Sequence, residues 1–379
     1  MLSTLLPLVH ASLSAPQLAR AAHTVSSKKL RLAVVGDVHG EFEEDDNAAL
    51  INLAPDAVLL VGDFGNEDVG VVRSIARLQE SLPCATIFGN HDICHLSKRY
   101  RKNALPNAAF SALPGGVEGA ATQGAAPQAG SSFSALPPRL GLGKEYNAVR
   151  EMHALLKPSA CAWGRLDLSD LGLAVAGGRP FSSGGGDHTG HKQSLYKDLF
   201  DIGTVEESAS RIAEAVDTSP AAVTVVMAHN GPTGLGCEKS DICGRDWEVS
   251  PRRGKARDVP RDWGDADLEM GLAACTTRVP LVVFGHMHAA LRDGGTRTMA
   301  VERHGRLYVN AAHVPRWRDT AKGRERAFTL IELALEQQEQ EEAASWAASS
   351  AEKVWALPTG EIAERRSLWP PHDVQSSIQ

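Results

Sequence analysis

The sequence predicts an α/β protein with layered sheets and helices outside them. Three observations carry this. Short apolar runs recur along the chain, each closing on glycine or a polar residue. The runs are continuous, with no clean alternation of apolar and polar residues, and helical patterns lie between them. Runs of this length, rich in Val, Leu and Ile and bounded by turn residues, read as buried strands. Unbroken apolarity implies sheets covered on both faces.

Taken in order, the predicted strands are "LRLAVVGD" (30–37), "DAVLLVGD" (56–63), "CATIFGNHD" (84–92), "LGLAVAGG" (171–178), "AVTVVMAHN" (222–230), "LVVFGHMH" (281–288), "RLYVNAAHV" (306–314) and "FTLIELAL" (328–335). The helical patterns are "EDVGVVRSIARLQESL" (67–82) and "VEESASRIAEAVDT" (205–218). Two regions break this rhythm. Pro106 to Gly143 is rich in Ala, Gly, Pro and Ser, too poor in apolar surface to order itself, and is expected to be a flexible insertion. From about Glu336 the chain reads "EQQEQEEAASWAASS" and then a Pro-containing tail, expected to be a solvated helix or disordered. Residues 30–335 are thus expected to form the folded domain, with 336–379 as a tail.

Before the first acidic residue, Asp37, the chain carries Arg20, Lys28, Lys29 and Arg31 among Ser and Thr. That composition suits an organelle transit peptide over about 1–29, so a chloroplast location is expected. The bland alternative is a disordered extension of a mitochondrial or cytoplasmic protein. The six cysteines are scattered without a CxxC and read as reduced thiols of an intracellular protein. No apolar stretch is long enough for a membrane helix. The net charge is −7 and no Lys/Arg stripe stands out, so nucleic acid is a disfavoured partner. The densest basic run, Ser250 to Asp262, reads as a solvated loop. Oligomeric state is not legible.

Chemistry gathers where the strands end. Asp37 and His39 follow the first, Asp63 the second, and Asn90, His91 and Asp92 the third; His229 follows a later one, and His286 and His288 the last. In sheet enzymes that end of the strand is where ligands bind. A G-H-x-H alone would turn up by chance in roughly one such chain in twenty, but an ordered series of motifs, each just past an apolar run, would not. Two carboxylates, four imidazoles and one amide oxygen suit borderline divalent or trivalent ions such as Mn, Fe or Zn. Seven donors are too many for one ion with an open position and suit two ions sharing a carboxylate.

"GDVHG" (36–40), "GDFGNED" (62–68), "GNHD" (89–92), "AHNGP" (228–232) and "GHMH" (285–288) resemble the five ordered blocks of the calcineurin-like metallophosphoesterases. The resemblance spans about residues 30–315. It implies a four-layer fold, a β-sandwich flanked by α-helices. It also implies that Asp37, His39 and His288 hold one metal ion, that Asn90, His229 and His286 hold a second, and that Asp63 bridges. His91 would act at the leaving group, with Asp92 orienting it. The expected reaction is hydrolysis of phosphomonoesters or phosphodiesters by in-line attack of metal-bound hydroxide, without a phosphoenzyme. "GGRPFSSGGG" (177–186) and "YVNAAHVPR" (308–316) are further similar to a cyanobacterial and plant branch of this family. The chain departs from the superfamily's protein serine/threonine phosphatases, which carry Asp-Arg-Gly in a longer second block and Glu after Asn-His. Small phosphate esters therefore fit at least as well as phosphoproteins. A catalytically silent metal-bound scaffold and a nuclease are the rival readings.

Other residues are read more blandly. Arg179, in the Gly-rich loop, is a candidate phosphate contact. Asp187, His188 and His191 read as loop surface. Asn310 and His313 either line the pocket or cap a strand. Trp163, Trp247 and Trp263 read as packing.

Overall fold

The computed structural model describes residues 29–103, 143–185, 191–248, 261–336 and 344–371. The transit-peptide stretch up to residue 28, most of the Gly/Pro-rich insertion, the body of the basic run, and the Asp187, His188 and His191 side chains lie outside them.

Each predicted strand forms. The elements run β1 (Lys29–Val35), α1 (Glu44–Leu53), β2 (Ala57–Leu60), α2 (Val69–Leu78), β3 (Cys84–Thr86), α3 (Cys94–Asn103), α4 (Gly143–Leu156), β4 (Arg165–Leu168) and β5 (Leu173–Gly177). They continue α5 (His191–Phe200), α6 (Val205–Asp217), β6 (Val223–Met227), α7 (Ala266–Ala274), β7 (Leu281–Phe284), β8 (Ala300–Arg303), β9 (Arg306–Asn310) and β10 (Trp317–Thr320). The last are β11 (Gly323–Glu336), β12 (Ser345–Ala356) and β13 (Ile362–Trp369). The helices have conventional starts. Asp68 accepts hydrogen bonds from the Gly70 and Val71 amides at the head of α2, and Thr204 and Glu207 form a capping box on α6.

Two sheets result. One has the order β13-β12-β11-β1-β2-β3, with β10 beside β11; the other runs β4-β5-β6-β7-β9-β8. Strands β1, β2 and β3 are parallel, as are β5, β6, β7 and β9. The period of two along each strand divides the apolar residues between two layers. Leu32, Val34, Leu59 and Val61 of the first sheet share a buried cluster with Val225, Met227, Val283 and Val309 of the second. The alternate residues Val35, Val58, Leu60, Val226 and Val282 turn outward and join helix residues Leu50, Val72, Ile75, Ile212 and Leu268. This is why the runs look uniformly greasy: one parity fills the sandwich, the other seats the helices. The six cysteines are free.

The tail departs from expectation. It is neither a solvated helix nor disordered over 345–369; β12 and β13 extend the first sheet past β11. β12 buries Trp346, Ala351, Val354 and Leu357 beyond it against that sheet. Its composition, Ala- and Ser-rich with one β-branched residue, carries no strand signal of its own, and pairing with β11 decides it. Ending the chain at residue 343 should therefore cost roughly 5 kcal/mol or more, since a buried Trp, Val or Leu contributes ~1.5–3 kcal/mol each. Urea unfolding of the two proteins would read the difference, and equal midpoints would show that β12 and β13 stabilise nothing.

Candidate metal centre

The parallel strands of both sheets end at the same side of the sandwich, and the loops leaving them carry the predicted donors. Asp37, His39, Asp63 and His286 all sit at positive φ, between 48° and 66°. Only a few per cent of non-glycine residues adopt this region, and doing so costs free energy. Four such residues in one place mean that the fold turns these loops sharply in order to aim their side chains. Close packing enforces the same aim: a Cβ on Gly89 would lie 2.2 Å from Asp63 Oδ1 and 2.6 Å from the His229 ring.

One group of donors comprises Asp37, His39 and His288. Asp37 Oδ2 is 3.1 Å from His288 Nε2 and 3.9 Å from His39 Nε2, and the two imidazole nitrogens are 3.1 Å apart. The other Asp37 oxygen accepts the His286 amide at 2.9 Å. Burial opposes ionisation of Asp37, but His288, His229 and His39 outweigh it and hold the carboxyl below its ordinary range. The second group comprises Asp63, His229 and His286, with Asn90 beside them. Burial, then the neighbouring His229, holds His286 well below the ordinary imidazole value, so it is neutral and able to ligate. Asp63 also belongs to a third group, with His39 and His91, which places it between the other two.

The donor set fits a cation on a specific ground. His229 Nδ1 lies 2.8 Å from the Val61 carbonyl oxygen, which turns the other ring nitrogen, Nε2, towards the site. Nε2 faces Asn90 Oδ1 at 3.0 Å and Asp63 Oδ1 at 3.4 Å. Three atoms able to ligate a cation therefore converge on one point. At the other group, the buried Asp37 Oδ2 has no hydrogen bond of acceptable angle despite the nearby imidazoles.

His91 stands beside the Asp63 group, its amide donating to Asp63 Oδ1 at 2.8 Å. Its ring is held by Asn66, whose Oδ1 lies 2.9 Å from His91 Nδ1. Asp92 does not orient His91. Its carboxylate is fully buried and accepts the amides of Asp63, Phe64, Gly65 and Gly89 at 2.7–3.2 Å, tying the loop after β2 to the loop after β3. The sequence points to the wrong neighbour because Asp92 is adjacent to His91 in the chain. Asn66, within "GDFGNED", looks like an ordinary turn residue, and nothing in the chain marks it as the partner.

Arg179 does not reach the open face. It is 2% exposed and forms buried ion pairs with Asp265 at 2.7 Å and Asp267 at 3.1 Å, as part of the packing beneath the Gly-rich loop. Asn310 serves backbone structure: its amide donates to the Met287 carbonyl at 2.6 Å and its oxygen accepts the Ala312 amide, which fixes the link between His286 and His288. His313 is buried with Nε2 2.9 Å from Thr329 Oγ1. Trp163 is core, whereas Trp247 and Trp263 line the cavity above the metal-ligating groups, so packing is only part of their role.

The sequence model of the calcineurin-like phosphoesterases matches residues 30–290, and the chain belongs to that family of metal-dependent phosphoric ester hydrolases. The family is typically dimetal-dependent, and its members take phosphate-ester substrates. No curated protein matches the sequence. Among solved structures, the chain is similar to TT1561 of Thermus thermophilus, with 10% identity, 79% of this chain and 93% of that one covered, and a TM-score of 0.40. It is also similar to a dimetal phosphatase from Danio rerio (9% identity, 89% and 98% covered, TM-score 0.36). A third is the phosphopantetheinyl hydrolase PptH from Mycobacterium tuberculosis (12% identity, 75% and 89% covered, TM-score 0.34). No helix among the described residues is long and apolar enough to cross a membrane.

Proposed function

We propose that the chain is a dinuclear phosphoesterase acting on small phosphomonoesters or phosphodiesters. Asp37, His39 and His288 would hold one ion of Mn, Fe or Zn, and Asn90, His229 and His286 the other, with Asp63 between them. The observation that supports this best is the convergence of His229 Nε2, Asn90 Oδ1 and Asp63 Oδ1 on one point. When bound, such ions neutralise phosphate charge and make water nucleophilic near neutral pH.

The protein's own part is positional. The Val61 carbonyl holds the His229 ring in place, and Asn66 turns the His91 ring about its Nδ1, leaving Nε2 to pass a proton to the departing oxygen. The test uses protein of measured metal content with p-nitrophenyl phosphate and bis(p-nitrophenyl) phosphate. The intact enzyme should turn over at least one of them. His91→Ala should lower kcat by roughly 10²–10⁴-fold, the usual contribution of a positioned acid, with little change in KM. Asn66→Ala should lower kcat less, because it only frees the ring. An intact protein carrying two ions per chain that hydrolyses neither ester would instead be a metal-bound scaffold.

A further inference from the structure

The cavity over the metal-ligating groups has a volume of about 390 Å3, with Asp63, His91, His286 and His288 among its lining residues and Trp247, Trp263 and Arg292 along its wall. The two indoles meet edge to face with centroids 5.2 Å apart, forming a corner. Both are held from behind. Trp263 Nε1–H donates to the Ser183 carbonyl at 2.6 Å, and its own carbonyl accepts from Gly185 and Asn230. Its ring lies so close on Gly185 that a Cβ there would be 2.8 Å from three ring carbons. Trp247 leaves the 238–247 loop, whose carbonyls at Lys239, Asp241 and Gly244 all accept from Arg297. The same guanidinium donates to the His288 carbonyl at 3.1 Å and pairs with Asp246, so the loop bearing Trp247 is tied directly to a candidate ligand. The Arg292 amide donates to Asp246, and its exposed guanidinium sits 5.5 Å from the centre of the Trp247 ring.

Arg297 and Asp246 are committed to this scaffold, and so is the Trp263 N–H. The Arg245 guanidinium lies 5.5 Å from the centre of the Trp263 ring, so the wall offers a ligand the remaining aromatic surface of the two indoles, with the exposed Arg292 at its rim. A volume near the small end for ligand sites admits one ring system and a phosphate. Resting on the phosphoesterase reading above, we propose that the ester's organic group carries a planar aromatic ring that stacks in the Trp247–Trp263 corner, so that these two residues set specificity.

The test compares benzyl phosphate with cyclohexylmethyl phosphate, esters of similar size and leaving-group basicity that differ in the flat ring. With the metal-loaded enzyme, benzyl phosphate should show about tenfold higher kcat/KM, carried by KM, as expected for stacking on a fixed aromatic side chain. Trp247→Ala should bring the two esters within about threefold, and Trp247→Phe should restore the preference, an outcome that a merely structural role would not give. Equal turnover of both esters would overturn the aromatic corner while leaving the phosphoesterase intact. Turnover of neither bears on the phosphoesterase reading only if both p-nitrophenyl esters also fail, and calorimetric titration with benzylphosphonate and cyclohexylmethylphosphonate then decides the corner separately. Preferential binding of the aromatic one, lost in Trp247→Ala, supports it, and equal or absent binding overturns it.

Discussion

On the dinuclear reading proposed above, Asp63→Asn protein will lose both metal ions and, with them, its activity. The asparagine is nearly isosteric, tolerates the left-handed backbone that Asp63 adopts at φ 55°, and can still accept the His91 amide. What disappears is the charge at the carboxylate that belongs to two of the three donor groups and lies between the other donors. Even removal of outer-shell partners lowers metal affinity by about 10–100-fold, so the loss of a shared carboxylate should exceed that for each ion. Elemental analysis after desalting should fall from two ions per chain towards none, and turnover should drop by roughly 10³-fold or more, while the circular dichroism spectrum stays unchanged. Retention of two ions would refute the ligand scheme, because no other donor could then be doing the bridging.

Asp92→Asn should damage the fold around the site and not the chemistry itself. Two carboxylate oxygens now take four backbone N–H groups from two loops. Burial and the nearby Asp63 carboxylate push the Asp92 carboxyl well above its ordinary range, and the amides of Gly89, Gly65 and Phe64 work against that rise. An amide in its place presents an –NH2 to amides that are themselves donors, leaving at least one buried donor unmet at ~1–3 kcal/mol each. The expected result is a loss of about 3 kcal/mol in chemical unfolding, accompanied by weakened metal binding. A variant of unchanged stability would show that the two loops hold their shape without this carboxylate.

The strands and the donors were legible in the sequence for the same reason. Buried parallel strands need continuous apolar runs, and polar residues immediately after them have nowhere to go but the end of the sheet. Donors separated by as many as 251 residues, Asp37 to His288, could therefore be grouped without coordinates. What escaped depends on contacts the chain does not announce. Asp92 looked like a partner of His91 by adjacency, yet its carboxylate faces the loop after β2. Arg179 sat in a Gly-rich stretch suggestive of phosphate, yet Asp265 and Asp267, 86 and 88 residues later, draw it into the interior. β12 became a strand only because β11 offered an edge. Trp247 and Trp263 gave no periodic signal, since their place at the cavity is set by Arg297 and by the Gly184–Gly185 turn.

The donors also divide between the two sheets. Asp37, His39, Asp63 and Asn90 leave strands of one, and His229, His286 and His288 leave strands of the other. Neither half alone can complete either group, since His288 must reach Asp37 and His229 must reach Asp63 across the seam. A chain whose sheets have formed but not yet docked therefore lacks both of these groups. On the metal-binding reading proposed above, ion binding would be linked to the docking of the two sheets, and a captured cation would latch the two layers together.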